Sequence, residues 1–269
     1  MQSAWRNFFS LRGMVRNIGS YSGLALLTLV TIILSPPGYM LMRWLHGYEP
    51  GHAVRKIIWM YGRVWTWMVS LFVPFQAQTG TVADYPKPSI IVANHQSFFD
   101  AFCMGALPIW DVAFVVRAWP FKIPFYGPYM RRAEYLNSEH LSCDTFLSEA
   151  KKRLDKGTSI LIFPEGTRST KDKLGRFYSG AFKLAVETGT PIVPMCIQGT
   201  GAVLPKSNAW LRYHSIWVET LAPVFPEEFS QTGPKAHIAM RKQVKQRIGQ
   251  RLQKTQQADA PSEICQENV

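Results

Sequence analysis

His95 and Asp100 stand five positions apart, directly after the apolar run Ile90-Ile91-Val92-Ala93. A carboxylate bonded to one imidazole nitrogen fixes the tautomer and leaves the other nitrogen free as a general base. On one continuous helix, turning about 100° per residue, two such side chains would point to different faces, so the chain must bend between them. Ser97-Phe98-Phe99-Asp100 supplies a bend, because a hydroxyl residue followed three positions later by an acid is a capping-box pattern that opens a helix. His95 is then expected just before that helix and Asp100 in its first turn. The plainer alternative is that Asp100 only caps a helix and His95 is a polar loop residue.

A second apolar run, Ser159-Ile160-Leu161-Ile162-Phe163, leads straight into Pro164-Glu165-Gly166-Thr167-Arg168-Ser169. Gly166 permits close backbone approach, Thr167 and Ser169 offer donors, and Arg168 carries a planar fork suited to phosphate. The turn reads either as a phosphate cradle or as a surface turn holding an Arg–Glu pair.

Taken together, Asn94-His95-Gln96-Ser97-Phe98-Phe99-Asp100 and Phe163-Pro164-Glu165-Gly166-Thr167-Arg168-Ser169 resemble two blocks of the glycerolipid acyltransferase family, in particular the 1-acylglycerol-3-phosphate acyltransferases. Ile123-Pro124-Phe125-Tyr126-Gly127 resembles the family's second block and Ile192-Val193-Pro194-Met195 its fourth, and the four occur in the family's order. The resemblance implies that His95, oriented by Asp100, deprotonates an acceptor hydroxyl that attacks the thioester of an acyl carrier. It also implies that the turn Glu165 to Ser169 helps hold the acceptor's phosphate. A thioester is already activated, so this chemistry needs a base, an oxyanion donor and positioning, with no metal or other cofactor.

One departure bears on the acceptor. The family's second block closes with Ile-Asp-Arg, whereas this chain reads Arg131-Arg132-Ala133-Glu134-Tyr135-Leu136-Asn137-Ser138, with no Arg at that place. Arg131 or Arg132 could substitute, with Lys122 as a further candidate phosphate contact. The implied activity is transfer from acyl-CoA or acyl-acyl-carrier protein to the free sn-2 hydroxyl of 1-acylglycerol 3-phosphate, giving phosphatidic acid. The alternatives are the same chemistry on another lyso-lipid, such as an aminoacyl lipid or glycolipid precursor, and a non-catalytic lipid-binding protein.

The elements that must position these residues are legible from pattern. Val112–Val116, Ile192–Ile197 and Ser215–Leu221 read as further strands, and Leu141–Lys156 and Gly180–Thr188 as helices, the latter closed by Gly189. Strands alternating with helices predict an α/β domain with a largely parallel sheet, whose sites gather at the carboxyl ends of its strands. Both functional stretches lie there. The expected division is a membrane-associating segment over 1–75, the α/β domain over 76–228, a basic amphipathic helix over 229–258 and a disordered tail over 259–269.

The net charge of +12 sits wholly at the flanks: residues 1–60 carry +5 and residues 229–258 carry +7. Basic flanks suit nucleic acid or anionic lipid, and the hydrophobic neighbours decide for lipid. Gly23–Leu34 is apolar but is cut short by Pro36-Pro37, and the second run, Ile57–Phe75, contains Arg63. Together they predict a helical hairpin dipped into one leaflet, on the cytoplasmic face where acyl thioesters are found. The helix predicted over Lys235–Lys254, with Ile238, Val244, Ile248 and Leu252 near one face, is able to sit on anionic headgroups, meet an acidic acyl carrier protein, or simply pack on the domain. Cys103, Cys143, Cys196 and Cys265 show no metal-ligand spacing, and neither a Walker sequence nor a Gly-x-Ser-x-Gly elbow occurs. Gly199-Thr200-Gly201 is too short a glycine pattern to mark a nucleotide site.

Overall fold

A computed structural model describes residues 10–139, 142–169, 174–206 and 208–259. Trp5, Arg6, His140, Leu141 and the tail from residue 260 lie outside them. The chain forms an α/β fold around a seven-stranded sheet, comprising β1 (Phe75–Gln78), β2 (Ile90–Ala93), β3 (Val112–Val116), β4 (Leu136–Asn137), β5 (Ser159–Ile162), β6 (Ile192–Gln198) and β7 (Ile216–Thr220). Their order is β1-β7-β6-β2-β5-β3-β4, and every neighbouring pair is parallel except β6 with β7. Strands β2 and β5 are buried at every residue, as a strand covered on both faces requires.

Side chains alternate across the sheet, so two apolar layers form. One contains Ile90, Val92, Ile160 and Ile162, and is covered by α5 (Cys143–Asp155), α6 (Gly180–Thr188) and α8 (Ala236–Asp259). The other contains Ile91, Ala93, Leu161 and Met195, and lies under α2 (Pro50–Ser70) and α3 (Asp100–Cys103). Two strands were hidden from sequence patterning: β4 is two residues long, and β1 has exposed residues from Gln76 onward, so neither carries an apolar alternation.

The N-terminal helices pair closely, but they differ in kind. Helix α1 (Leu11–His46) runs unbroken through Pro36-Pro37, where a break or kink is expected. Both prolines face outward; just before them Ser35 is hydrogen-bonded to Tyr129 of α4 (Tyr126–Arg132), and just after them Tyr39 packs on the cluster of Val54, Ala113, Ala133 and Tyr135. The lost backbone bonds are therefore offset by packing on either side of them. Leu26, Leu29, Ile33, Leu34 and Trp44 are exposed on α1, and by length and composition this helix could cross a membrane. Its uncovered apolar side is a membrane-associating surface.

Helix α2 instead belongs to the core, burying Ala53, Val54, Ile57, Trp65 and Val69, while Arg63 faces outward over Trp59. It is anchored twice. Gly62 meets Gly105 backbone to backbone, where a Cβ on Gly105 would fall 2.2 Å from the Gly62 carbonyl carbon. Arg55, counted from sequence as part of a basic flank, is 4% exposed and donates to Asp111 at 2.5 Å, the Ala133 carbonyl at 3.1 Å and Thr158 at 3.0 Å.

Of the options for the basic C-terminal segment, helix α8 shows the packing on the domain. Met240, Val244, Ile248 and Leu252, four residues apart, are buried against the sheet, whereas Ile238 is exposed. Burying four such side chains is worth roughly 6–12 kcal/mol before entropy, enough to hold the helix on the domain.

Candidate active site

Strands β2 and β5 are parallel neighbours, so the turns that follow them emerge side by side at one edge of the sheet. Hydrogen bonds join these turns. The Glu165 carboxylate accepts the His95 backbone N–H at 2.9 Å, and the Ser169 N–H donates to the His95 carbonyl at 2.8 Å. Asn94, buried at the end of β2, ties the same edge to β6 by donating to the Ile197 carbonyl and accepting the Ile197 N–H, both at 2.8 Å.

His95 and Asp100 meet as the bend requires. Imidazole Nδ1 lies 2.8 Å from Asp100 Oδ2, with Asp100 fully buried and His95 21% exposed. Half of the capping box forms: Asp100 accepts the Ser97 N–H at 2.9 Å, while the Ser97 hydroxyl donates to the Leu204 carbonyl at 2.8 Å. Helix α3 accordingly begins at Asp100 itself. Oδ2 also accepts the Gln96 N–H at 2.6 Å, and Oδ1 accepts the Thr200 hydroxyl at 2.5 Å from α7 (Thr200–Val203). With Nδ1–H committed to a carboxylate, the lone pair of the neutral ring resides on Nε2, for which the protein supplies no partner among the described residues. Phe163 stacks on the imidazole at 4.3 Å between centroids and fixes its plane. Behind the pair, burial and then the charge of Asp100 push the Cys103 thiol well above its ordinary range, leaving it inert.

His95 opens onto a cavity of about 670 Å³ between the helices α1, α2 and α4 and the end of the sheet. Its walls are chiefly apolar and aromatic, including Ile32, Ile58, Phe102, Phe114, Tyr126 and Met130. Gly166, at a φ of 67° that favours glycine, lines it together with Thr167 and Arg168. Arg168 has no hydrogen-bond or ion-pair partner among the described residues, so its fork is available to an anion.

Other candidate residues fall elsewhere. Both Glu165 oxygens are occupied by internal donors, since the Ser169 hydroxyl at 2.8 Å and the Gly175 N–H at 2.7 Å share Oε2. Glu165 and Ser169 therefore strap the turn from behind and do not line the cavity. Lys122, Arg131 and Arg132 are exposed and likewise outside the lining, with Arg131 donating to the Phe121 carbonyl at 2.8 Å. Helix α4 turns Tyr126, Tyr129 and Met130 to the cavity and leaves its two terminal arginines exposed outside it. Sequence reading missed Arg117 and Lys206, which do line the cavity. Arg117 follows β3 at the same edge of the sheet and was recoverable from that rule; Lys206 comes from a loop with no pattern of its own. Among the described residues no cluster of metal-ligating side chains occurs.

The fold and site define an α/β protein that presents a histidine, bonded to a buried carboxylate, to an apolar cavity lined also by an arginine without a partner among the described residues. Comparison with known proteins narrows this class. The family model described as Acyltransferase matches residues 78–198. A chloroplastic 1-acyl-sn-glycerol-3-phosphate acyltransferase of Arabidopsis thaliana is 30% identical over 60% of this chain and 46% of its own length. One from Brassica napus is 28% identical over 69% of this chain and 54% of its own, so the chain spans about half the length of these relatives. The crystal structure of the 1-acyl-sn-glycerophosphate acyltransferase of Thermotoga maritima superposes with a TM-score of 0.66 at 26% identity, covering 88% of this chain and 98% of that one. The chain is thus similar to the glycerolipid acyltransferases, with residues 78–198 as its match to the acyltransferase family.

Proposed function

We propose that the protein is a membrane-associated acyltransferase that moves an acyl chain from acyl-CoA or acyl-acyl-carrier protein to the free sn-2 hydroxyl of 1-acylglycerol 3-phosphate, giving phosphatidic acid. The observation that carries this reading is the placement of the His95–Asp100 pair at an apolar cavity that Arg168, without a partner among the described residues, also lines. His95 Nε2 takes the proton of the acceptor hydroxyl as its oxygen attacks the thioester carbonyl. The carbon–sulfur bond then breaks, and the imidazolium returns the proton to the departing thiolate. Asp100 holds the tautomer and stabilises the imidazolium, while Arg168, with Gly166 and Thr167, takes the acceptor's phosphate. The exposed side of α1 keeps the cavity at the leaflet surface, on the side where soluble acyl donors are available.

A second reading, the same transfer to a different lyso-lipid, is favoured by Ser138. This residue lines the cavity at the end of β4, within the stretch 131–138 that lacks the Ile-Asp-Arg of the family's second block. Its N–H bonds the Val116 carbonyl at 2.9 Å, which places Arg117 beside it, but Arg117 is paired with Glu139 at 2.5 Å. Purified protein offered a panel of lyso-lipids with labelled acyl-CoA and acyl-acyl-carrier protein separates the two. His95→Ala is expected to lower transfer by about 10²- to 10⁴-fold. Undiminished transfer by that variant refutes the mechanism, and no transfer by the unmodified protein to any acceptor refutes the activity.

A further inference from the structure

Asp100 must hold one orientation if the imidazole is to point its free nitrogen at a substrate, and its own turn grips only one of its two oxygens. Oδ2 carries three donors, His95 Nδ1, Gln96 N–H and Ser97 N–H, all supplied by residues 95–97. They hold one end of the carboxylate; rotation about Cβ–Cγ, an intrinsically broad torsion, swings both oxygens together and is also resisted at the other end by the partner of Oδ1. Among the described residues the sole partner of Oδ1 is the hydroxyl of Thr200, at 2.5 Å from a residue as completely buried as Asp100.

Thr200 is itself held in place from several directions. The preceding Gly199 has a φ of 85°, and a Cβ there would lie 1.9 Å from the Ser215 carbonyl oxygen, so the chain can turn at this point only with glycine. The Thr200 carbonyl accepts the Leu204 N–H at 2.8 Å, and the Leu204 carbonyl in turn accepts the Ser97 hydroxyl at 2.8 Å. With the paired bonds between Asn94 and Ile197, the end of β6 and the short helix after it form a backing plate for the His95–Asp100 turn. The β-branched side chain of Thr200 restricts its own rotamer, which aims the hydroxyl.

We infer that Thr200 is a positioning residue for the reaction: its hydroxyl sets the rotation of the Asp100 carboxylate and, through it, the aim of His95. The glycines that flank it in Gly199-Thr200-Gly201 serve this placement, since a Cβ on Gly201 would meet Gln96 Cβ at 3.3 Å. The inference rests on the proposal that His95 is the base.

The test compares Thr200→Val, which keeps the shape and removes the donor, with Thr200→Ser, which keeps the donor. Thr200→Val is expected to lower kcat by about 10- to 100-fold, with KM for acceptor and donor within about 2-fold of the unmodified protein. Thr200→Ser is expected to stay within about 3-fold in kcat. The proton resonance of the His95 Nδ1–H is expected to move in the Val protein and to stay in the Ser protein. A Val protein with unchanged kcat overturns the inference, as does a Ser protein that falls as far as the Val protein. Should the Val protein not fold, Ser alone decides: a loss of kcat beyond about 10-fold with the hydroxyl retained overturns the inference, and retained activity with an unmoved resonance supports it. An unmodified protein with no transfer to any lyso-lipid removes the proposed function and this inference together, whereas an active protein indifferent to Thr200→Val removes only the inference.

Discussion

Glu165 offers the sharpest separation between gripping a substrate and holding the site together. Its carboxylate is 6% exposed and accepts three internal donors at 2.7–2.9 Å, from the His95 and Gly175 backbones and the Ser169 hydroxyl. Hydrogen bonds to a charged acceptor are each worth about 1.5–3 kcal/mol, and Glu165→Ala would leave buried donors without partners. Because donors sharing one acceptor are not additive, about 3 kcal/mol is the expected loss of stability. At about 2–4 °C per kcal/mol for a chain of this size, the melting temperature falls by about 6–12 °C. Glu165→Gln retains one acceptor oxygen and turns an amide N–H₂ toward the other donors, so about half the loss follows. The assay is thermal unfolding in detergent, followed by steady-state transfer kinetics below the transition. Lower kcat with unaltered acceptor KM marks a strap for the His95 turn. A Glu165→Ala protein that melts within about 2 °C of the unmodified one refutes the reasoning, and a rise in acceptor KM with no change in melting would return Glu165 to the phosphate.

Three further outcomes are expected. Gly105→Ala drives a methyl group into the Gly62 backbone, which cannot give way, and costs about 1–3 kcal/mol in thermal unfolding; Gly62→Ala, whose nearest contact is 3.3 Å, costs less. Burial pushes Tyr85 and Cys196 up to about 12, so the unfolded chain loses those protons first as the pH rises. The stability they contribute is therefore full below their unfolded values and is lost toward pH 12, which urea midpoints on either side of pH 10 detect, with Tyr85→Phe reducing the decline. Cys143 is exposed and lines the cavity, whereas Cys103 and Cys196 are buried with raised thiols. In the folded protein an alkylating reagent is expected to modify Cys143 well before those two, and a lyso-lipid in the cavity is expected to slow that labelling, as peptide mass mapping would show.

The sequence by itself determined the parts governed by nearby residues. The apolar runs Ile90–Ala93 and Ser159–Ile162 became central strands, and the bend at Ser97–Asp100 brought a carboxylate back onto His95 because a short turn supplies its own donors. Gly189 closed its helix in the left-handed conformation that glycine permits. What tertiary structure alone decided depends on residues far apart in the chain. Pro36-Pro37 read locally as a break, but contacts with α4 carry the helix through it; Arg55 read as surface charge, but Asp111 and Thr158 bury it. The arginines 131 and 132 looked available, yet α4 turns Tyr126, Tyr129 and Met130 to the cavity in their place, while Arg117 and Lys206 are delivered by strand and loop ends. Most consequential is Thr200, 100 positions from the aspartate it contacts. Local pattern records which residue can turn or bend, whereas the pairing of β6 with β2 selects which hydroxyl arrives beneath Asp100.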